Sequence, residues 1–194
     1  QGSGGLEIAG NGDFEIHMKD SGHGGVSTYA VTRAVVGEIV SGSAAMGQCV
    51  YDPHDGDIVL LAGGIGITHL KAIVEEAIAR KHPHNLHLYW SAKEANDLYL
   101  QSYFVALKNN NNKLIYNDII ENEISIGGSE FWAKGGVETP QNSLFYLSGP
   151  AAMIERIVPA LLAIGVPEAS IRSDMAALVR NIIEKSKNGL KSII

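Results

Sequence analysis

The chain has 194 residues, 45% of them hydrophobic and 19% charged, with a formal net charge of −6 and one cysteine. An acidic balance without a basic block argues against nucleic acid and anionic membrane as partners, and no apolar run approaches the roughly 18 residues of a membrane span. A lone Cys49 excludes an internal disulfide and a four-cysteine iron–sulfur cluster held by this chain alone.

A chain of this size buries about 70% of its extended surface, as one large domain or two small ones. No signal peptide is visible, and a cytoplasmic setting is expected. Residues 1–57 read as β-rich. Phe14-Glu-Ile-His-Met-Lys19 alternates with period two, which puts Phe14, Ile16 and Met18 on one strand face. Asp20-Ser-Gly-His-Gly-Gly25 is a loop by composition. Residues 26–35 suit a short helix with Ser27 or Thr28 as N-cap. Residues 38–40 and 48–51 are candidate strands, and Cys49 is expected to be a small buried residue rather than a nucleophile.

From Asp57 the pattern becomes alternating strand and helix, the sign of a parallel α/β layer. Ile58-Val-Leu-Leu-Ala is a short apolar run ending in Gly63, Gly64 and Gly66. Leu70, Ile73, Val74, Ala77 and Ile78 then follow helical spacing over 69–81. Strand, glycine turn and helix together offer bare peptide N–H groups and the positive end of a helix dipole, which suits a diphosphate. The competing reading is a tight structural turn. The spacing is not G-x-G-x-x-G, because His69 stands at the third glycine. His69 itself is expected to face solvent.

Further strands are expected over 86–90, 113–116, 144–147 and 170–172, which makes five. Helices are expected over 94–107, after Pro150, and on a last stripe of Met175, Leu178, Val179, Ile182 and Ile183 that packs on the sheet. Residues 117–142 read as irregular. Pro159 should kink the fourth helix or remove one of its hydrogen bonds, and Gly165 should close it. The seven histidines show no metal-binding spacing, and His82-Pro-His84 reads as a surface loop. Ligands of parallel sheets sit at the carboxyl ends of the strands. The Gly63 turn, Ser91, Ser148 and Asp174 all fall there.

Three ordered blocks resemble the ferredoxin–NADP reductase superfamily, in its flavin reductase and oxygenase-reductase branch. They are Leu60-Leu-Ala-Gly-Gly-Ile-Gly-Ile-Thr68, Leu86-His-Leu-Tyr-Trp-Ser-Ala-Lys-Glu-Ala-Asn-Asp-Leu-Tyr99 and Phe145-Tyr-Leu-Ser-Gly-Pro-Ala-Ala-Met153. The resemblance implies a five-stranded parallel α/β nucleotide-binding domain at 58–194, with an extra C-terminal helix. Before it, at 1–57, it implies part of an antiparallel β-barrel, the remnant of a flavin domain. It implies that Gly63, Gly64, Gly66 and Thr68 cradle the diphosphate of NAD(P)H, and that Ser91 and Lys93 read the adenosine ribose, with a lean to NADPH. Gly149, Pro150 and Met153 would border the nicotinamide. Ser148 and Asp174 would be the catalytic pair, Asp174 alternatively capping the last helix. Gly25, Val26, Ser27 and Thr28 would hold the diphosphate of FAD or FMN.

The family's arginine-x-aromatic-hydroxyl flavin motif does not precede Phe14, where Gly4-Gly-Leu-Glu-Ile-Ala-Gly10 stands instead. The implied chemistry is hydride transfer from NAD(P)H to a flavin, then electrons onward to a small acceptor or an electron-accepting protein. An iron–sulfur cluster on another chain is one variant. The reading from a different class is a non-catalytic nucleotide-binding or interaction module with a degenerate flavin site.

Overall fold

The computed structural model describes residues 5–8, 14–20, 22, 24–39, 41, 47, 49–120 and 137–191. It begins with an antiparallel pair, β1 (Gly5–Ile8) and β2 (Phe14–His17), and a short helix α1 (Val26–Thr32). Then come β3 (Ile58–Gly63), α2 (Ile67–Ala79), β4 (Leu86–Ala92), α3 (Gln101–Asn110) and β5 (Leu114–Ile120). The chain continues with β6 (Leu144–Ser148), α4 (Ala151–Ala163), β7 (Ile171–Ser173) and α5 (Ala176–Lys191). The last five strands pair in parallel in the order β5-β4-β3-β6-β7. No described helix is long and apolar enough to cross a membrane.

Period two explains how β3 supports both layers. Ile58, Leu60 and Ala62 face a cluster with Leu70, Val74, Trp90 and Phe104, whereas Val59 and Leu61 face one with Ile154, Ile157, Val158 and Val179. Every β3 residue is buried, as a central parallel strand covered on both faces requires. Each buried aliphatic side chain contributes about 1.5–3 kcal/mol, more than the roughly 1 kcal/mol of a single helix cap. The sheet, not the turn after it, therefore fixes where Gly63 sits.

Several boundaries differ from the sequence reading. The helix expected over 94–107 begins at Gln101. A 3-10 turn at Ala95–Asp97 and the buried Leu98 come first, and the Gln101 amide donates to the Leu98 carbonyl. β5 runs on to Ile120 because its pairing with β4 continues to Ala92. Helix α4 passes through Pro159 without ending. Pro159 lies on the exposed face, so water can reach the Glu155 carbonyl that loses its amide partner. Gly165, at φ +86°, closes α4. Its amide donates to Leu162 and the Val166 amide to Leu161, the paired closure of a left-handed C-cap. Helix α5 lies against α4 and β7, burying Val179.

The N-terminal part departs further. In β2 the polar face meets α2: Lys71 Nζ lies 3.2 Å from Glu15 Oε2 and 3.1 Å from Glu75 Oε1, and Glu15, Ile16 and Met18 all stay exposed. Burial pushes the Glu15 carboxyl up, but Lys71 and then His17 outweigh it and hold it below the usual range. The N-cap of α1 is Gly25, not Ser27 or Thr28. The candidate strands at 38–40 and 48–51 are absent where they are described; Val40 and Gln48 lie outside the described residues. Glu38 instead accepts the Tyr29 hydroxyl. Residues 49–52 form a strap, in which Tyr146 Oη donates to the Val50 carbonyl and accepts from the Asp52 amide, both at 2.9 Å. Of the segment read as irregular, residues 121–136 lie outside the described residues.

His82 is buried rather than part of a surface loop. Its Nε2 lies 3.0 Å from the Gly56 carbonyl, and Tyr51 Oη is 3.3 Å from its Nδ1. Burial first, then the charges of His84, His54 and Lys113, lowers its pKa from the ordinary value against a smaller opposing pull from Gly56. The unfolded chain therefore binds this proton more readily. Stability is full above about pH 6.5 and declines as pH falls below it toward the lowered value. His82→Gln should flatten that part of the melting-temperature profile; an unchanged slope would contradict the assignment.

Candidate functional site

The register brings the expected residues to one edge. Gly63 pairs with Ser91 and Ala62 with Ser148, all at the carboxyl ends of their strands. Two helices start there, α2 after the 3-10 turn Gly64–Gly66 and α4 after Pro150. Neither has an acidic residue in its first turn, so the positive ends of both dipoles are left uncompensated locally.

The glycines are needed for contact. A Cβ on Gly66 would stand 2.2 Å from the Ser148 carbonyl oxygen, and one on Gly63 would stand 2.8 Å from both Met153 Sδ and Pro150 Cδ. A Cβ on Gly149 would come within 2.9 Å of the Gly63 nitrogen. The two loops thus interlock backbone to backbone. Gly64 is different: its φ is +53°, and a Cβ there would meet nothing within 4 Å. It borders a cleft of about 470 Å³ whose other walls include Ile16, Met18, Asp97 and Tyr99.

Thr68 is buried, and its hydroxyl donates to the Ile65 carbonyl at 2.8 Å, so it braces the turn from within. Ser91 is also buried, with its hydroxyl turned to the Ala62 carbonyl at 3.2 Å. Lys93 is exposed beyond β4. His69 does not face solvent as expected. Its Nε2 lies 2.5 Å from the Cys49 carbonyl and ties the strap to α2.

At the far side of the edge, Ser148 Oγ donates to Asp174 Oδ2 at 2.8 Å. Asp174 also accepts from Ser173 Oγ at 3.2 Å, and that same Ser173 oxygen takes the Met175 amide at 3.0 Å. The group accepting an amide at the start of α5 is therefore Ser173. The Cys49 thiol is buried nearby, and burial first, then the Asp174 charge, pushes it up to about 12. A thiol so shifted stays protonated at neutral pH and is inert as a nucleophile.

Gly25, Val26, Ser27 and Thr28 form the start of α1, none of them buried. Thr28 Oγ1 donates to Asp20 Oδ1 at 2.6 Å and the Gly22 amide donates to the same oxygen at 2.9 Å. These bonds hold the Asp20 carboxyl below the usual range. Among the described residues no group of three or more His, Cys, Asp or Glu could hold a metal ion.

Two aromatic residues at the turn escaped the sequence reading. Trp90 Nε1 donates to the Gly64 carbonyl at 2.8 Å. The Tyr99 ring packs edge-on against Trp90 at 5.5 Å, and its hydroxyl lies 2.9 Å from His17 Nδ1. A tryptophan two residues before the β4 terminus, beside the glycine strand, was the available signal.

Known proteins resemble this chain in sequence and fold. The family profile of the oxidoreductase NAD-binding domain matches residues 60–158. A flavohemoprotein of Candida norvegensis is 31% identical over 160 residues, covering 80% of this chain and 39% of that protein. The CDP-6-deoxy-L-threo-D-glycero-4-hexulose-3-dehydrase reductase of Yersinia pestis is 26% identical over 171 residues, covering 85% of this chain and 51% of that protein. The chain thus spans about two-fifths to one half of the length of these relatives. The flavohem-like FAD/NAD-binding domain of a nitric oxide dioxygenase from Vibrio cholerae superposes with a TM-score of 0.67 at 22% identity, covering 87% of this chain and 74% of that one. With three glycines interlocked at the sheet's carboxyl edge and a family match across them, the chain belongs to the oxidoreductase NAD-binding domain family, within the ferredoxin–NADP reductase superfamily.

Proposed function

We propose that the chain is the pyridine-nucleotide-binding part of an NAD(P)H-linked flavin oxidoreductase. The carrying observation is the pair of helix starts without first-turn acids, meeting over Gly63, Gly66 and Gly149, where an added Cβ would collide with the facing loop. In this reading the amides around Gly63, Gly64 and Gly66 hold the diphosphate, and Thr68 keeps their turn in shape. Gly149, Pro150 and Met153 border the nicotinamide. When bound, the dinucleotide supplies a hydride from that ring. Asp174 holds the Ser148 hydroxyl proton, so Ser148 offers its oxygen lone pairs, not a proton, to the ring edge. Lys93 is the cation that would favour NADPH, whereas Ser91 contributes only if its hydroxyl leaves the Ala62 carbonyl.

The flavin half is less supported. A flavin diphosphate at Gly25–Thr28 has to displace the Asp20 carboxylate, which already takes the Thr28 hydroxyl and the Gly22 amide. That contact favours the second reading, a nucleotide-binding module without its own flavin. We assign the electron acceptor, a protein or a small molecule, to no residue. The two readings separate in one assay. With added FAD or FMN and ferricyanide, the reductase oxidises NADH or NADPH in a flavin-dependent manner. Nucleotide binding without any oxidation supports the module.

A further inference from the structure

We infer that Trp90 is a positioning residue: its indole N–H holds the peptide between Gly64 and Ile65 so that the Ile65 amide faces the cleft as an anion donor. The inference rests on the dinucleotide reading of the site and adds a residue to it.

The geometry begins with the turn. Gly64 is left-handed, at φ +53°, and its carbonyl receives Trp90 Nε1 at 2.8 Å as well as the Ile67 amide. Every described peptide bond is trans. In a trans peptide the C=O and N–H point in opposite directions. A carbonyl drawn back toward β4 therefore sends the Ile65 N–H the other way, where Gly64 and Ile65 line the 470 Å³ cleft. The next peptide is held likewise, because Thr68 Oγ1 takes the Ile65 carbonyl at 2.8 Å. Both carbonyls of the turn are thus claimed from behind.

Trp90 suits this task because it cannot move. It is fully buried, and its ring is flanked edge-on by Tyr99 at 5.5 Å and Phe104 at 6.2 Å. Tryptophan offers a donor and no acceptor, so the bond has one possible direction. Without it the Gly64 carbonyl keeps, among the described residues, the Ile67 amide. A glycine in a left-handed turn is free to rotate that peptide and turn its oxygen toward the cleft, where it would repel a phosphate.

The test replaces one atom group at a time at position 90. Benzothienylalanine has the shape of tryptophan with sulfur in place of the N–H, and 5-fluorotryptophan keeps the N–H. Calorimetric titration with ADP-ribose should give about five- to tenfold weaker binding for the benzothienyl protein than for the fluorotryptophan protein, the value of one neutral hydrogen bond. A packing role alone would leave the two equal, and equal affinities would overturn the inference. If the unmodified protein does not bind ADP-ribose, the dinucleotide reading itself falls and takes this residue's role with it. Should the benzothienyl protein fail to fold, the indole N–H resonance of the natural protein decides. It is expected to resist solvent exchange and to shift on adding ADP-ribose; rapid exchange with no shift would overturn the inference.

Discussion

Gly66→Ala is expected to lower the melting temperature by roughly 6–12 °C and to abolish measurable nucleotide binding. The Gly66 φ is ordinary, at −59°, so alanine's backbone preference is not the problem. The obstacle is the neighbour. The new Cβ would stand 2.2 Å from the Ser148 carbonyl oxygen, 2.5 Å from its carbon and 2.8 Å from the Gly149 nitrogen. All three are backbone atoms of the β6 terminus and cannot swing aside as a flexible side chain would. Either α2 or the Ser148-Gly149 segment has to shift, and overpacking of this kind costs about 3 kcal/mol. In a chain of this size each kcal/mol moves the midpoint by roughly 2–4 °C. Binding fails separately, because the shift separates the two helix starts that face one another across this contact. Melting and ADP-ribose titration of the same sample check both parts.

Gly64→Glu should give the opposite balance: small loss of stability, large loss of binding. An added Cβ meets nothing within 4 Å, and the left-handed backbone costs about 1–2 kcal/mol for a non-glycine residue. The carboxylate, however, projects beside the cleft where the reading puts a diphosphate. Like charges about 4 Å apart repel by roughly 1–4 kcal/mol in a partly solvated site, which corresponds to a loss in affinity of about fivefold to several hundredfold. Gly64→Ala carries the strain without the charge and should retain most of the binding. If the glutamate and alanine variants bind alike, the charge argument is wrong and the turn is structural.

What the sequence made legible follows from what is periodic. The apolar run at Ile58, the helical stripe from Leu70 to Ala77 and the glycines between them all appear where expected, because burial on both faces of β3 leaves little choice. The edge that gathers Gly63, Ser91 and Ser148 was readable for the same reason: strand ends in a parallel sheet are set by register. Polar contacts were not readable. In β2 it is Glu15, on the face opposite Ile16 and Met18, that meets the buried Lys71, and period two alone does not say which face meets α2. His82 looked like a loop residue, yet it is held by Gly56 and Tyr51 from a distant strap. The start of α3 differs because a 3-10 turn at Ala95–Asp97 and the buried Leu98 after it take the place of the first helical turns. Thr68 and Ser91 are themselves expected ligand contacts and Trp90 lies beside them in sequence, but nothing in the sequence says that their polar atoms bond to backbone carbonyls.

The central claim is that peptide amides at the Gly64 turn bind the diphosphate of a pyridine dinucleotide. The most direct measurement is an amide-resolved titration of ¹⁵N-labelled protein with NADH and NADPH up to millimolar concentration. The account predicts saturable shifts that are largest at the Gly64, Ile65 and Gly66 amides. No shift with either nucleotide, or saturable shifts confined to amides away from this turn, would contradict it.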